Sequence, residues 1–268
     1  MKQPDGHGNA TPVDKIVMPV SLSPTLSRCA GEGANESLRE FFVNGCCVTV
    51  HEDLAALSLA VALRIAELAQ QAIAARGVFC LALAGGETPR RCYEYLRELP
   101  VDWARVQLFF GDERCLPLGD ANRNDTMAYD ALIKHIDIPE ANVHAISAES
   151  GAVVAAFEYA ALLGRFARLD LVLLGLGEDG HTASLFPCNP ATGSDASVVA
   201  VSGAPKMPPE RVSLGMNTLN AARVKLFMAA GEGKRDPLAR IAQGVLLPAA
   251  QVNDAEWHVD RAAWPVGG

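Results

Sequence analysis

The sequence predicts an α/β fold, a doubly wound and mostly parallel sheet flanked by helices. Three observations carry this. Short runs such as VFCLALA at 78–84, VQLFF at 106–110 and LDLVLL at 169–174 are apolar without alternation, as strands buried on both faces are. Segments of helical periodicity separate them, which favours parallel crossover units. The runs stop at Gly-containing turns that carry charged residues. In an open α/β sheet, ligands bind beyond the carboxyl ends of the strands.

Taken in order, residues 1–37 hold Pro4, Pro12, Pro19 and Pro24 among many Gly, Ser and Asn, and read as a poorly ordered extension. Residues 38–268 then form one α/β domain, with no internal repeat and no linker between folded units. IVMPVSL at 16–22 is an edge strand at best, because Pro19 cannot donate to a ladder. REFFVNGCCVTVH at 39–51 reads as a hairpin or strand pair turning at Asn44-Gly45. Glu52-Asp53 opens a long helix in which Leu54, Leu57, Val61, Ile65 and Leu68 recur at helical spacing, and Arg76-Gly77 ends it. After strand 78–84, Thr88 is placed as the N-cap and Pro89 as the first residue of a helix reaching about Leu99. Strand 106–110 ends in Gly111-Asp112-Glu113-Arg114; helices follow at 122–135 and 153–168, the latter feeding strand 169–174. Short strands at 197–202 and 211–216 flank a Lys206–Pro209 loop. Strand 224–230 leads through Gly231-Glu232-Gly233-Lys234 to a helix at 236–243, and a strand at 256–259 closes the chain.

Composition narrows the function. Half of the 268 residues are hydrophobic, ample for a packed core. A net charge of −8 argues against general nucleic-acid binding and against an anionic membrane surface. An anionic substrate then needs a local cluster of Lys and Arg working against the global field. Seven cysteines with only Cys46-Cys47 adjacent, and no zinc-type Cys/His spacing, read as reduced thiols in a cytoplasmic protein without a metal. No uninterrupted apolar run approaches the roughly 18–20 residues of a membrane span. The first residues lack the apolar stretch of a secretory signal.

Four clusters carry chemistry. Gly85-Gly86-Glu87-Thr88-Pro89 is either a tight strand-to-helix turn or a backbone cradle for a phosphate or carboxylate at a helix N-terminus. GLGEDG at 175–180 fits a dinucleotide fingerprint in letters, but Pro187 and Pro190 preclude the long helix that such a site needs. Asp179-Gly180-His181 ends a buried strand: the imidazole can take a proton from water near neutral pH, and the acid can orient the ring or hold a hydroxyl. Asp112-Glu113-Arg114 lies at the same sheet edge or is a solvated loop, and Asn124 is a cap or a substrate contact. Lys206, Arg211 and Lys234 each read alone as surface charges, and together with Gly85-Gly86 as a cationic pocket for a phosphate.

With these residues assembled, the sequence resembles the 6-phosphogluconolactonase family. The match is carried by LALAGGETPRRCYEYL, LFFGDERCLP with NRNDTMAYDAL, LDLVLLGLGEDGHTASLFP and PKMPPERVSLGMNTLNAARVKLFMAAGEGK, in the family's order and over about residues 40–260. The related glucosamine-6-phosphate deaminases share the Asp-Gly-His core and differ after it. The resemblance implies a sugar-phosphate isomerase/deaminase-like fold, hydrolysis of 6-phospho-D-glucono-1,5-lactone in the oxidative pentose phosphate pathway, and no cofactor. His181 is then the general base, with Asp179 orienting it and Arg114 a candidate for the oxyanion. Gly86, Thr88, Arg211 and Lys234 are placed at the 6-phosphate, with Lys206 second to them, Asp112 at sugar hydroxyls, and Gly85 and Asn124 among the substrate contacts. The expected partner is the sugar-phosphate lactone, and the expected state a monomer or small homo-oligomer. Alternatives are a deaminase or aldose–ketose isomerase on the same fold, and a non-catalytic sugar-phosphate-binding protein. Cys188, where the family usually has Gly, and Gly215-Met216-Asn217, where Thr-Leu-Pro is more usual, are departures.

Overall fold

The computed structural model describes residues 48–264. The expected extension at 1–37, the edge strand at 16–22 and the turn at Asn44-Gly45 lie outside the described residues. In chain order the elements are β1 (Val48–His51), α1 (Leu54–Arg76), β2 (Phe79–Leu83), α2 (Glu87–Leu96), β3 (Val106–Phe110), β4 (Asp112–Arg114), α3 (Asn124–Ala131), α4 (Ala152–Leu163), β5 (Leu171–Gly175), β6 (Val198–Val201), β7 (Arg211–Leu214), α5 (Met216–Ala221), β8 (Val224–Ala229), α6 (Arg235–Ala242) and β9 (Glu256–Asp260).

Six strands form a parallel sheet in the order β1-β9-β8-β5-β2-β3. Every residue of β2 is buried, as are Leu171–Leu174 of β5, which is why these strands read as unbroken apolar runs. From β2 the chain first moves outward to β3, then returns to the opposite side of β2 at β5. The carboxyl ends of β2 and β5 therefore diverge at a topological switch point, the crevice where this class of sheet takes its ligand. One expectation needs extending. Asp112–Arg114 is neither the end of β3 nor a solvated loop but a separate strand, paired antiparallel with β7 in a small sheet β4-β7-β6. Three charged residues carry no apolar pattern, so only partner strands supplied from far along the chain reveal them.

Local chemistry explains the helix ends. The Asp53 carboxylate accepts a hydrogen bond from the Ala56 amide (2.8 Å) and caps α1, and Gly77 closes it in the left-handed region at φ 79°. By length and composition α1 alone among the described helices resembles a membrane span. Its Leu57, Val61, Ile65 and Leu68 are buried in the main core, the place of a flanking helix. For α2 the expected Thr88 cap is displaced. The helix starts at Glu87 because Gly86, at φ 106°, turns the chain two residues earlier, and Thr88 makes no capping bond. The Tyr93 hydroxyl donates to the Ala84 carbonyl (2.7 Å) and accepts from its amide (2.9 Å), pinning α2 to the end of β2.

At the opposite edge of the sheet, buried Asp170 accepts from the Cys80 amide (2.9 Å), Arg76 (2.7 Å) and Arg223 (3.2 Å), joining α1, β2 and β8. Both departures have local accounts. A Cβ at 215 would lie 2.0 Å from the Ala196 carbonyl oxygen, so Gly215 answers a close approach of backbone. Cys188 is exposed at φ 61°, where a side chain is disfavoured.

Replacing Asp170 by Ala leaves two guanidinium groups and a buried amide unpaired, and is expected to cost about 2–4 kcal/mol in urea unfolding. Cys188→Gly is expected to raise stability by about 0.5–1 kcal/mol, because relief of the left-handed strain outweighs the added freedom of the unfolded chain. An unchanged midpoint in either variant contradicts the assignment.

Candidate active site

Beyond the ends of β2 and β5 lies a cavity of about 380 Å³. Its wall combines residues from across the chain: Gly85 and Gly86 after β2, Asp112 and Arg114 of β4, Asn124 at the start of α3, the end of β5 with Gly177, Glu178 and His181, then Lys206, Arg211 and Lys234. Of the residues singled out in the sequence, Asp179 and Thr88 do not line it. Asp179 stands behind His181, and Thr88 sits in the first turn of α2.

The turn after β5 is built around the imidazole. His181 Nδ1 and Asp179 Oδ1 are 2.5 Å apart, and the same oxygen accepts from the His181 amide at 3.1 Å. A carboxylate only accepts, so Nδ1 carries a proton, and in the neutral ring Nε2 is the bare nitrogen. A Cβ at 177 would lie 2.0 Å from Nδ1 and 2.7 Å from Asp179 Oδ1, so glycine is required there. Gly177 also donates its amide to the His181 carbonyl (2.8 Å), and Gly180 bends the turn at φ 85°. The Phe186 ring packs against the imidazole with centroids 4.6 Å apart. Burial pushes the Asp179 carboxyl up, but the hydrogen bond and charge of His181 outweigh it and bring the pKa down to about 2.

A second network fixes the opposite wall. Asp112, nearly buried, accepts from the Ser184 hydroxyl at Oδ2 (2.5 Å) and from the Asn124 amide group at Oδ1 (3.2 Å). Asn124 also donates to the Asp112 carbonyl (2.8 Å) and lies across Gly85, where a Cβ would come within 1.9 Å of its oxygen. Glu113, fully buried, accepts from the amides of Arg114, Asn124 and Asp125, at 2.7–2.8 Å, and so serves as the N-terminal anion of α3. Desolvation raises its pKa, against these three donors. Asn124 is thus a member of the Asp112 network rather than the helix cap.

The cations converge as the pocket reading requires. Arg211 is buried, lies 5.9 Å over the Phe186 ring, and donates to the carbonyls of Lys206, Met207 and Pro208. It thereby holds the β6–β7 loop that brings Lys206 to the cavity. Lys234 is half-buried beyond β8, where Asp260 accepts the Gly231 amide and sets the turn. Burial pushes the pKa of both Arg211 and Lys234 down. Arg114 donates to the Asn122 carbonyl (2.6 Å). Four cations thus share one cavity in a chain of net charge −8. Among the described residues no side chain caps α2, so its first amides are open to an anion.

Glu178, Phe186 and Ser184 were not separately legible. They sit inside the same motif as His181, but nothing in residue type separates a wall or a support from a filler. Glu178 lies 4.0 Å from Lys206 across the mouth.

Known proteins share the sequence and the fold of this chain. Residues 52–264 match the family of glucosamine-6-phosphate isomerases/6-phosphogluconolactonase. The 6-phosphogluconolactonase of Mycobacterium leprae is 36% identical over 221 residues, 75% of this chain and 90% of that protein. That of a Synechocystis species is 38% identical over 180 residues, 64% and 74% of the two chains. The crystal structure of 6-phosphogluconolactonase from Thermotoga maritima is 30% identical with a TM-score of 0.74, covering 80% of this chain and 99% of the other. A monomeric glucosamine-6-phosphate deaminase, 20% identical with a TM-score of 0.72, shares the fold. The chain belongs to the glucosamine-6-phosphate isomerase/6-phosphogluconolactonase family.

Proposed function

We propose that this protein hydrolyses 6-phospho-D-glucono-1,5-lactone to 6-phospho-D-gluconate in the oxidative pentose phosphate pathway, in the cytoplasm. The observation that carries the reading is the 2.5 Å Asp179–His181 pair on a cavity shared with four cations. A lactone is an activated ester, so water, a base and charge stabilisation suffice. The 6-phosphate sits among Lys234, Arg211, Lys206 and the amides at Gly86–Thr88, and Asp112 holds sugar hydroxyls. His181 Nε2 takes a proton from water as its oxygen bonds to C1, while Asp179 steadies the imidazolium. Arg114 faces the oxyanion as it forms. Collapse of the tetrahedral intermediate breaks the bond from C1 to the ring oxygen, and His181 returns its proton to that oxygen. The carboxylic acid formed then ionises in water.

The test generates the lactone enzymatically and follows its disappearance with and without the protein, with ammonia release from glucosamine 6-phosphate as the control for a deaminase. The protein is expected to accelerate loss of the lactone and to release no ammonia. His181→Ala is expected to lower kcat about 10²–10⁴-fold with KM nearly unchanged. Asp179→Asn lowers kcat too, because an amide no longer fixes the tautomer. With its pKa near 2, Asp179 stays ionised through the assay range and adds no limb to the pH profile above about pH 4. Near-normal turnover in His181→Ala overturns the mechanism. Lys234→Ala is expected to raise KM about tenfold or more with a smaller change in kcat, as loss of one charged phosphate contact does. An unchanged KM removes Lys234 from the phosphate site.

A further inference from the structure

Among the described residues two acids line the cavity, Asp112 and Glu178. Both oxygens of Asp112 accept hydrogen bonds, from Ser184 and Asn124. The Glu178 carboxylate is engaged differently, by cations. It lies 4.0 Å from the Lys206 ammonium across the mouth. It also rests over Gly233, where a Cβ would come within 3.3 Å of Oε1, and so beside the turn that ends in Lys234. Burial depresses the Lys234 pKa, and the charge of Glu178 is the largest effect opposing it, ahead of that of Asp179. An acid thus stands where the cavity gathers its cations.

The cations it faces are the uncommitted ones. Arg211 spends Nε and Nη2 on the carbonyls of its own loop, and Arg114 donates to the Asn122 carbonyl. The Lys206 side chain is largely exposed, as is that of Glu178, and a pair so open to water contributes little to stability. Its consequence lies in what an incoming anion meets. A phosphate monoester carries close to two charges near neutral pH, so a nearby carboxylate repels it about twice as strongly as it repels a single charge. The phosphate must also take the two ammonium groups from that carboxylate.

We propose that Glu178 is a resident counter-anion that shares Lys206 and Lys234 with the incoming phosphate and holds the affinity for phosphate esters down. For the lactone this rests on the function proposed above; for phosphate binding itself it does not. The phosphate is the part of the ligand that hydrolysis leaves unchanged. A stronger grip on it binds substrate, transition state and product alike, so it lowers KM and slows product departure without raising kcat. A carboxylate beside the two lysines moderates that grip while leaving both cations in place.

Calorimetric titration of the full chain with 6-phospho-D-gluconate and with inorganic phosphate, at low ionic strength, tests this in the wild type, Glu178→Gln and Glu178→Asp. Glu178→Gln is expected to bind both anions about five- to tenfold more tightly, and Glu178→Asp, which keeps the charge, to stay close to the wild type. In about 1 M salt, where the Debye length is about 3 Å, the difference is expected to shrink. In lactone turnover, KM and the product inhibition constant of Glu178→Gln are expected to fall together, with no rise in kcat. Residue 178 is exposed, so an unchanged melting temperature excludes misfolding. Unchanged binding in Glu178→Gln overturns the proposal, as does an aspartate variant that behaves like the glutamine one. Weaker binding in Glu178→Gln also overturns it and makes Glu178 a support that positions the lysines. No binding of either anion by wild type or variant overturns it as well. A protein that binds the anions, tightens in Glu178→Gln and leaves the lactone intact overturns the lactonase reading alone; a lactonase whose affinity ignores residue 178 does the reverse.

Discussion

The structure depends on one close approach, the packing of the His181 imidazole against the backbone at Gly177. No side chain fits between them, and the 2.5 Å hydrogen bond to Asp179 occupies the space that a Cβ would need. That contact decides which nitrogen is bare, and it closes the turn that carries the parallel sheet into its ligand crevice. The sheet contributes rigidity: β5 is flanked on both sides and buried along Leu171–Leu174, so the turn begins from a fixed base.

Around that turn the protein spends its buried polar groups on position. Asp112, Ser184 and Asn124 form one hydrogen-bonded chain from the small sheet to α3. Glu113 faces the other way and organises the amides that begin α3. Arg123, fully buried, binds Asp125, Glu149 and two carbonyls and ties the α3 start to the segment leading into α4. Arg211 combines two duties: its donors shape the loop bearing Lys206, and its charge stays in the cavity wall. The half-buried cations are preorganised but poorly solvated, which favours an incoming phosphate over water.

Legibility followed the range of the interactions. Asp53 and Gly77 act within one turn of helix, so their types and spacing announce them. The His181 turn likewise lies within a few residues of its strand. Thr88 misled because a cap signature competes with a glycine at positive φ two residues earlier, and the glycine sets the chain direction. Glu113 was opaque for the opposite reason: two of its three amide partners lie eleven and twelve residues away, across a loop. β4 has no apolar periodicity, and strand order depends on contacts between distant segments. The convergence of Lys206, Arg211 and Lys234 was readable only as an expectation, since each is a common surface residue taken singly.

The most direct test of the central claim is the tautomer of His181, read from long-range proton–nitrogen correlations of the ¹⁵N-labelled imidazole near neutral pH. The account predicts a proton on Nδ1 and a bare Nε2, lost when Asp179 is replaced by Asn. A proton resting on Nε2 in the wild type, or a spectrum indifferent to residue 179, contradicts it.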